Sequence, residues 1–210
     1  LKRVMQILGT GPLIAAMRQV TQAPLRYLVD TSAAAELVGG HARISPAGYS
    51  FVASQLGRAA PIIAQQNVLT TLRAEPGADH TTWGLPSELY SEARPQYNFY
   101  LNGQGVAVIW QPAAHSNADS VVLFSHSDVV VTGEVFDDTR FPIIDLAHGG
   151  SIQGEIDALN RLVNTLVFPS VPLVGQPGMQ EGQAGRQEQH AGTLLIPVRG
   201  AVCDHTDLIT

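Results

Sequence analysis

Apolar residues recur at helical spacing in three stretches of the chain. In 11–20 they fall on one face, which predicts an amphipathic helix. The stretch 61–74 begins with proline, a favourable first helical residue, and also carries its apolar residues on one face, so a second helix is predicted there. A third helix is predicted over 150–167, with Ser151 as its N-cap and Glu155 in its first turn.

Alternating and β-branched residues predict strands between these helices. The segment 97–112 alternates around Asn102-Gly103, a two-residue signal for a β-hairpin. Further strands are predicted over 25–30, 120–125, 128–136 and 193–198. Loops are predicted over 76–95, which is rich in Gly, Pro, Thr and Ser, and over 174–192, a flexible segment of Gln, Gly and Glu.

This order of elements predicts a layered α/β fold in a single domain over residues 1–210. The chain starts on a helix with no strand before it and stops where another helix begins. An α/β sheet without its first strands would leave an open edge. We therefore expect the domain to be incomplete at both ends.

Composition argues against several kinds of binding partner and site. Charged residues make up 14% of the 210 residues, against a norm of about 25%. The net charge is −6 with only 12 Lys and Arg, which argues against nucleic-acid binding. No apolar run reaches the roughly 20 residues that a transmembrane helix needs. Cys203 is the only cysteine, so an internal disulfide and a cysteine-based zinc cluster are excluded.

The loop after the first predicted strand is placed where functional loops often lie, but it lacks side chains that could carry chemistry. It reads TSAAAELVGG from Thr31 to Gly40, and its alanines can do no acid–base, nucleophilic or metal chemistry. This frame resembles the T-H-x-H-x-D-H-x-G-G loop of the metallo-β-lactamase-fold hydrolases, and other motifs of that family follow in the family's order. The resemblance covers most of the chain. It implies an αββα sandwich, a two-zinc water-activating site, and first strands and a last helix missing from this chain.

Six of the seven metal-ligand positions that the resemblance assigns carry another residue. His115, in QPAAHSNADS, is the retained ligand. Glu134, in TGEVF, stands where the family has a bridging aspartate, and Arg199, in IPVRG, stands where it has a final histidine. The altered positions are Ser32, Ala34, Glu36, Leu37, Glu134 and Arg199.

These replacements predict that no metal is bound and that no cofactor is used. Zinc needs three or four donors in tetrahedral reach, and only His115, Glu134 and Glu36 remain as candidates. Arg199 would place a permanent positive charge beside any metal at this site. We therefore predict that Arg199 occupies the vacated site and pairs with Glu134 or Glu36, because two carboxylates without a counter-ion would be costly there.

Other polar residues have competing interpretations. His115 fits a leftover ligand, a structural histidine or part of a new site, and the structural role is favoured. Ser32 has no histidine base in its motif, and no G-x-S-x-G elbow surrounds any serine. Asp137 and Asp138 are interpreted as loop caps. The remaining histidines show no ligand spacing and are interpreted as surface or incidental residues: His41, His80, His126, His148, His190 and His205.

Three functions are compatible with these residues. The favoured one is a non-catalytic metallo-β-lactamase-fold protein that serves as a structural or binding subunit of a larger assembly, since folds are kept when sites are lost. Its partners would be other protein subunits, and it would meet a membrane only through them. The first alternative is a hydrolase that works with a rearranged single-metal site, with zinc as the cofactor, held by Glu36, His115 and Glu134, or that works without metal. The second is a small-molecule binding protein that uses the old substrate cleft. The resemblance favours an exported or periplasmic protein of a bacterium.

Overall fold

Two β-sheets form the centre of the fold in the computed structural model, which describes residues 10–50, 59–75, 84–167 and 192–209. The first sheet is parallel and has the order β1-β2-β3: β1 (Leu28–Val29), β2 (Ile62–Gln65) and β3 (Glu88–Tyr90). The second sheet has the order β4-β5-β6-β7-β8: β4 (Gln96–Leu101), β5 (Gln104–Trp110), β6 (Ser120–Phe124), β7 (Val129–Gly133) and β8 (Leu194–Pro197). Its strands are antiparallel except for the parallel pair β7 and β8.

The predicted hairpin is confirmed as β4 and β5. Leu101 pairs with Gln104 across the turn, and the two residues between them have positive φ angles, 52° at Asn102 and 82° at Gly103. A two-residue turn of this kind needs positive φ at both positions, which Asn and Gly tolerate.

Helices and short helical turns connect and cover the sheets. The helices are α1 (Thr10–Val20), α2 (Ala35–Val38), α3 (His41–Ile44), α4 (Gln66–Ala74), α5 (Ile152–Arg161) and α6 (His205–Ile209). A π-helical turn, Leu162–Leu166, continues α5. The predicted cap of α5 is confirmed, because the Ser151 hydroxyl accepts a hydrogen bond from the backbone N–H of Gly154 at 2.9 Å.

Two predicted elements are wrong in part. The helix predicted over 61–74 begins only at Gln66, because Ile62–Gln65 is strand β2. Every residue of β2 is buried, so the strand has no alternation of apolar and polar residues and is indistinguishable by periodicity from a buried helix. The loop predicted over 76–95 contains strand β3, which pairs with β2.

Three apolar clusters show how the layers stack. Ile63 and Tyr90 of the first sheet pack against Val106, Val108 and Val122 of the second. The outer face of the first sheet packs against α2 and α4, and the outer face of the second packs against α5 and its π-helical turn. The layer order is therefore helix, sheet, sheet, helix, which confirms the predicted αββα class.

Some predictions concern residues outside those that the structure describes. The predicted flexible loop 174–192 lies outside them except for Gly192, as do His80 and His190. Among the helices in the described ranges, none is long and apolar enough to cross a bilayer.

Candidate functional site

The segments that follow β1, β7 and β8 carry all six of the positions that the resemblance assigns to altered metal ligands. Gly133, the last residue of β7, lets this strand end approach the loop after β1. An added Cβ there would lie 2.8 Å from the Thr31 Cβ and 3.0 Å from the Ser120 carbonyl oxygen. The backbone N–H of Ser120 also donates to the Thr31 carbonyl at 2.9 Å, which joins this loop to the second sheet.

Arg199 lies among three carboxylates at this end of the sheets. Its Nη2 is 3.1 Å from Glu36 Oε1, and its Nη1 is 3.1 Å from Asp137 Oδ2 and 3.5 Å from Glu134 Oε2. The prediction that Arg199 pairs with Glu134 or Glu36 is confirmed, and it pairs with both. These four residues, Glu36, Glu134, Asp137 and Arg199, are called the Arg199 cluster below.

Asp137 is the member of the Arg199 cluster that sequence analysis missed. It does cap a loop as predicted, since its Oδ1 accepts from the Thr139 backbone N–H at 2.9 Å. Its Oδ2 also binds Arg140 Nε at 3.0 Å and the Arg199 guanidinium. Burial acts to raise the Asp137 pKa, but the hydrogen bonds from Thr139, Arg199 and Arg140 outweigh it and lower that pKa. The carboxylate is therefore held in its charged form.

His115, which the resemblance assigns as a retained ligand, has partners outside the Arg199 cluster. Its Nδ1 bonds to the Ile143 carbonyl oxygen, and because a carbonyl oxygen only accepts, Nδ1 carries a proton in this contact. It lines a cavity of about 70 Å³ together with Ser32, Asp145 and His148. None of the residues of the Arg199 cluster lines this cavity. Its volume is far below the roughly 300 Å³ of the smallest usual ligand pockets.

The other three positions that the resemblance assigns to metal ligands are Ser32, Ala34 and Leu37. Ser32 is buried, and its Oγ accepts from the Ala34 backbone N–H at 3.0 Å, which shapes the turn before α2. Ala34 precedes α2 and Leu37 is half-buried within it.

The residues present do not fit the zinc centre that the resemblance implies. Across the described ranges, no group of three or more His, Cys, Asp or Glu residues is arranged to hold a metal ion. Glu36 and Glu134 are directed at a guanidinium, and His115 lies in a separate cavity. Arg199, at the position that the resemblance assigns to a final histidine ligand, is a permanent cation.

His41 is not a surface residue, which corrects the interpretation from sequence. Its Nε2 is 2.8 Å from Asp30 Oδ1, and the two side chains are 6% and 3% exposed. Its Nδ1 is 3.4 Å from the Gly84 carbonyl oxygen. Burial acts to lower the His41 pKa, but the hydrogen bond and charge of Asp30, with the Gly84 carbonyl, outweigh it and raise that pKa. The signal that could have found this pair is an acid at the end of a buried strand, eleven residues before a histidine that follows two glycines.

Two further carboxyl groups are buried behind His115. Asp119 accepts from the Ser116 backbone N–H, and Glu155 projects from the first turn of α5. Asp119 Oδ1 and both Glu155 carboxyl oxygens have no hydrogen-bond partner among the described residues. Burial raises the pKa of each group to about 7. Sequence analysis placed Glu155 correctly in the helix but did not predict its burial.

His148 has a defined partner as well. Its Nδ1 is 2.6 Å from Asp145 Oδ2, and both side chains are partly exposed. Burial acts to raise the Asp145 pKa, but its bonds with His148 outweigh this and lower that pKa. His148 is thus a surface residue, as interpreted, but it helps to hold the loop that carries Asp145 beside His115.

Comparison with known proteins gives matches at the level of structure alone. No protein-family profile and no curated protein matches this chain. A metallo-β-lactamase from Pontibacter korlensis superposes with a TM-score of 0.62 at 13% identity, over 96% of this chain and 74% of its own. The DIM-1 metallo-β-lactamase gives 0.60 at 13% identity, over 96% of this chain and 71% of its own. VMB-1 gives 0.61 with the same identity and coverage. The chain therefore has the metallo-β-lactamase fold.

Proposed function

We propose that this chain is a non-catalytic metallo-β-lactamase-fold protein that serves as a structural or binding subunit of a larger protein assembly. The observation that carries the proposal is the Arg199 cluster. The Arg199 guanidinium binds the carboxylates of Glu36 and Glu134, so these groups are engaged by a permanent cation rather than left open to a metal ion.

A group of exposed apolar side chains supports a binding role. Phe141, Leu146 and Ile152 are 95%, 75% and 70% exposed, and Ile143 and Ile156 are also exposed. We call these five residues the apolar rim. Ile143 of the rim lies beside the His115 cavity, because its carbonyl bonds to His115 and the nearby Asp145 N–H donates to the His115 carbonyl. Exposed apolar residues grouped beside a cleft are typical of protein-binding surfaces.

Elemental analysis of protein isolated without added metal or chelator tests the first half of the proposal. We expect less than about 0.1 equivalent of zinc, manganese or iron per chain. About one equivalent, lost together with hydrolytic activity in His115→Ala, would support the single-metal hydrolase instead. In the non-catalytic protein the same substitution changes neither metal content nor any background hydrolysis.

Native size measurement in extracts of the source cells tests the second half. The wild-type protein should elute in a complex well above the mass of a single copy of the protein. Phe141→Asp combined with Leu146→Asp should shift it to the monomer position. Val20→Asp is the matched control, because Val20 is 88% exposed but lies on α1, outside the apolar rim. Elution of the wild type as a monomer would contradict the subunit role.

A further inference from the structure

Strand β4 is an edge strand of the second sheet. It stands first in the strand order, and among the described strands only β5 pairs with it. Proteins usually protect such edges with charged residues, proline, bulges or a very short strand. The six residues of β4, QYNFYL, include no charged residue and no proline, and their pairing with β5 runs without a bulge. The free side of β4 is therefore suited to pair with another strand.

The register of the hairpin shows which backbone groups lie on this free side. The Trp110 N–H donates to the Pro95 carbonyl at 2.9 Å, so these two residues form a hydrogen-bonded pair just before β4. Bonded and non-bonded pairs alternate along an antiparallel ladder, so the odd-numbered residues of β4 direct their backbone groups at β5. The N–H and C=O groups that point away from β5 are those of Gln96, Asn98 and Tyr100.

The apolar layer between the two sheets continues to this edge. Tyr97, Phe99 and Leu101 pack against the apolar cluster between the sheets, but they are only partly buried. On the neighbouring strand β5, Val106 and Val108 of the same layer are 2% and 0% exposed. A further strand beside β4 would cover the three partly buried side chains and extend the layer.

We propose that β4 pairs antiparallel with β4 of a second copy of this chain, which joins two second sheets into one continuous sheet. Pairing through the outward backbone groups places Asn98 opposite Asn98 of the second copy, and Gln96 opposite Tyr100. This register forms about six backbone hydrogen bonds. Between the sheets it places Tyr97 opposite Phe99, and aromatic cross-strand pairs of this kind stabilise a sheet.

Charge favours a second copy as the occupant of this edge. Like charges directly opposite each other destabilise a strand pair, and self-pairing of β4 brings only neutral side chains together. The chain has a net charge of −6, so two copies repel each other where their charged surfaces meet. A neutral edge avoids this repulsion. The inference does not depend on the proposed function, because β4 and the apolar rim share no residue.

The expected dimer is weak. One pair of six-residue strands makes a small interface, and small interfaces are typical of transient association. We expect a dissociation constant on the order of 10–100 μM. The dimer therefore forms in concentrated purified protein and dissociates at the dilution of a cell extract.

Sedimentation velocity of the purified full chain between about 1 and 300 μM tests this proposal. The average mass should rise from that of one copy towards that of two. Asn98→Lys places two ammonium groups opposite each other and should weaken dimerisation at least about tenfold, whereas the exposed side chain is not needed for pairing with β5. Asn160→Lys is the matched control, because Asn160 is an exposed asparagine of α5, and it should dimerise like the wild type. Circular dichroism confirms that each variant is folded.

Disulfide cross-linking tests the register. In the proposed pair the two Asn98 Cα atoms are about 5.5 Å apart, within the roughly 4.4–6.8 Å that a disulfide spans. Mild oxidation of Asn98→Cys should therefore link two copies covalently, and the native Cys203 is buried. Tyr100→Cys is the control, because its counterpart in the second copy would lie four residues along the strand, roughly 14 Å away, and it should not cross-link.

Three results would overturn the proposal. The first is a wild type that stays monomeric at about 300 μM. The second is equal dimerisation of Asn98→Lys and Asn160→Lys, because the copies would then meet through another surface such as the apolar rim. The third is equal cross-linking of Asn98→Cys and Tyr100→Cys, which the proposed register does not allow.

Discussion

Replacing Arg199 by methionine removes the charge of the Arg199 cluster and keeps most of the side-chain length. Glu134 and Asp137, 7% and 4% exposed, then lose their contact with the guanidinium. Breaking a buried ion pair by removing one partner costs about 3–5 kcal/mol. Arg199 is itself 26% exposed, and Asp137 keeps its ion pair with Arg140. We therefore expect the free energy of unfolding to fall by about 3 kcal/mol. Glu36 is 38% exposed and adds at most about 0.5 kcal/mol.

Urea unfolding followed by far-ultraviolet circular dichroism measures this loss, with an unchanged denaturant slope. In thermal unfolding, about 3 kcal/mol corresponds to a decrease of about 6–12 °C for a chain of this size. Arg140→Met is the matched control, because Arg140 is 45% exposed and binds only Asp137 within the Arg199 cluster. The Arg140→Met substitution should lower the free energy of unfolding by less than about 1 kcal/mol.

The pH dependence of the stability provides an independent check on the role of Arg199. The Asp137 pKa is lowered in the folded protein, so the unfolded chain binds more protons in acid. The stabilisation is therefore present above the ordinary pKa of 3.8 and is lost as the pH falls through the lower folded value. The difference between wild type and Arg199→Met should be full at pH 7 and shrink below about pH 4. A loss under about 1 kcal/mol at pH 7, or an equal loss in Arg140→Met, would refute the reasoning.

Three other predictions follow from buried or strained groups. His41→Ala leaves the Asp30 carboxylate buried without its partner and should cost about 3–5 kcal/mol in urea unfolding. Because the folded His41 pKa is raised, the wild type should also lose stability as the pH rises above about 6.5, and this loss should be absent in the variant. Glu155→Gln should be more stable than the wild type at pH 8 and gain less at pH 5, since burial raises the Glu155 pKa to about 7; equal gains at both pH values would contradict this. Gly133→Ala should cost more than about 2 kcal/mol by thermal unfolding, because φ is 58° and the added Cβ meets atoms within 3.0 Å, whereas Gly103→Ala, with φ of 82° and open space, should cost about 1 kcal/mol.

The parts of the fold that sequence analysis predicted correctly depend on local interactions. The hairpin follows from Asn102-Gly103, because these residues tolerate the positive φ that the turn requires. The cap of α5 follows from Ser151, whose side chain reaches a backbone N–H three residues away. Strand β2 was misassigned because its position between two strands buries both of its faces, and that position is not visible in a short window of sequence.

Sequence analysis predicted three of the four residues of the Arg199 cluster. The residue that it missed comes from a distant segment of the chain. The pairing of Arg199 with Glu134 and Glu36 was predicted because the motif frames assigned all three to one site. Asp137 was not assigned to that site, since no motif position marks it, and its loop brings it to Arg199 from 62 residues away.

By itself, the sequence determined the local turns and caps and the frame of the fold. Only the tertiary structure decided which charges meet, which histidine is buried against Asp30, and which carboxyl groups behind His115 are without partners. The physical reason is the distance along the chain over which each interaction acts. Turn and cap preferences act over a few residues, whereas burial and ion pairing depend on side chains that packing brings together from distant parts of the chain.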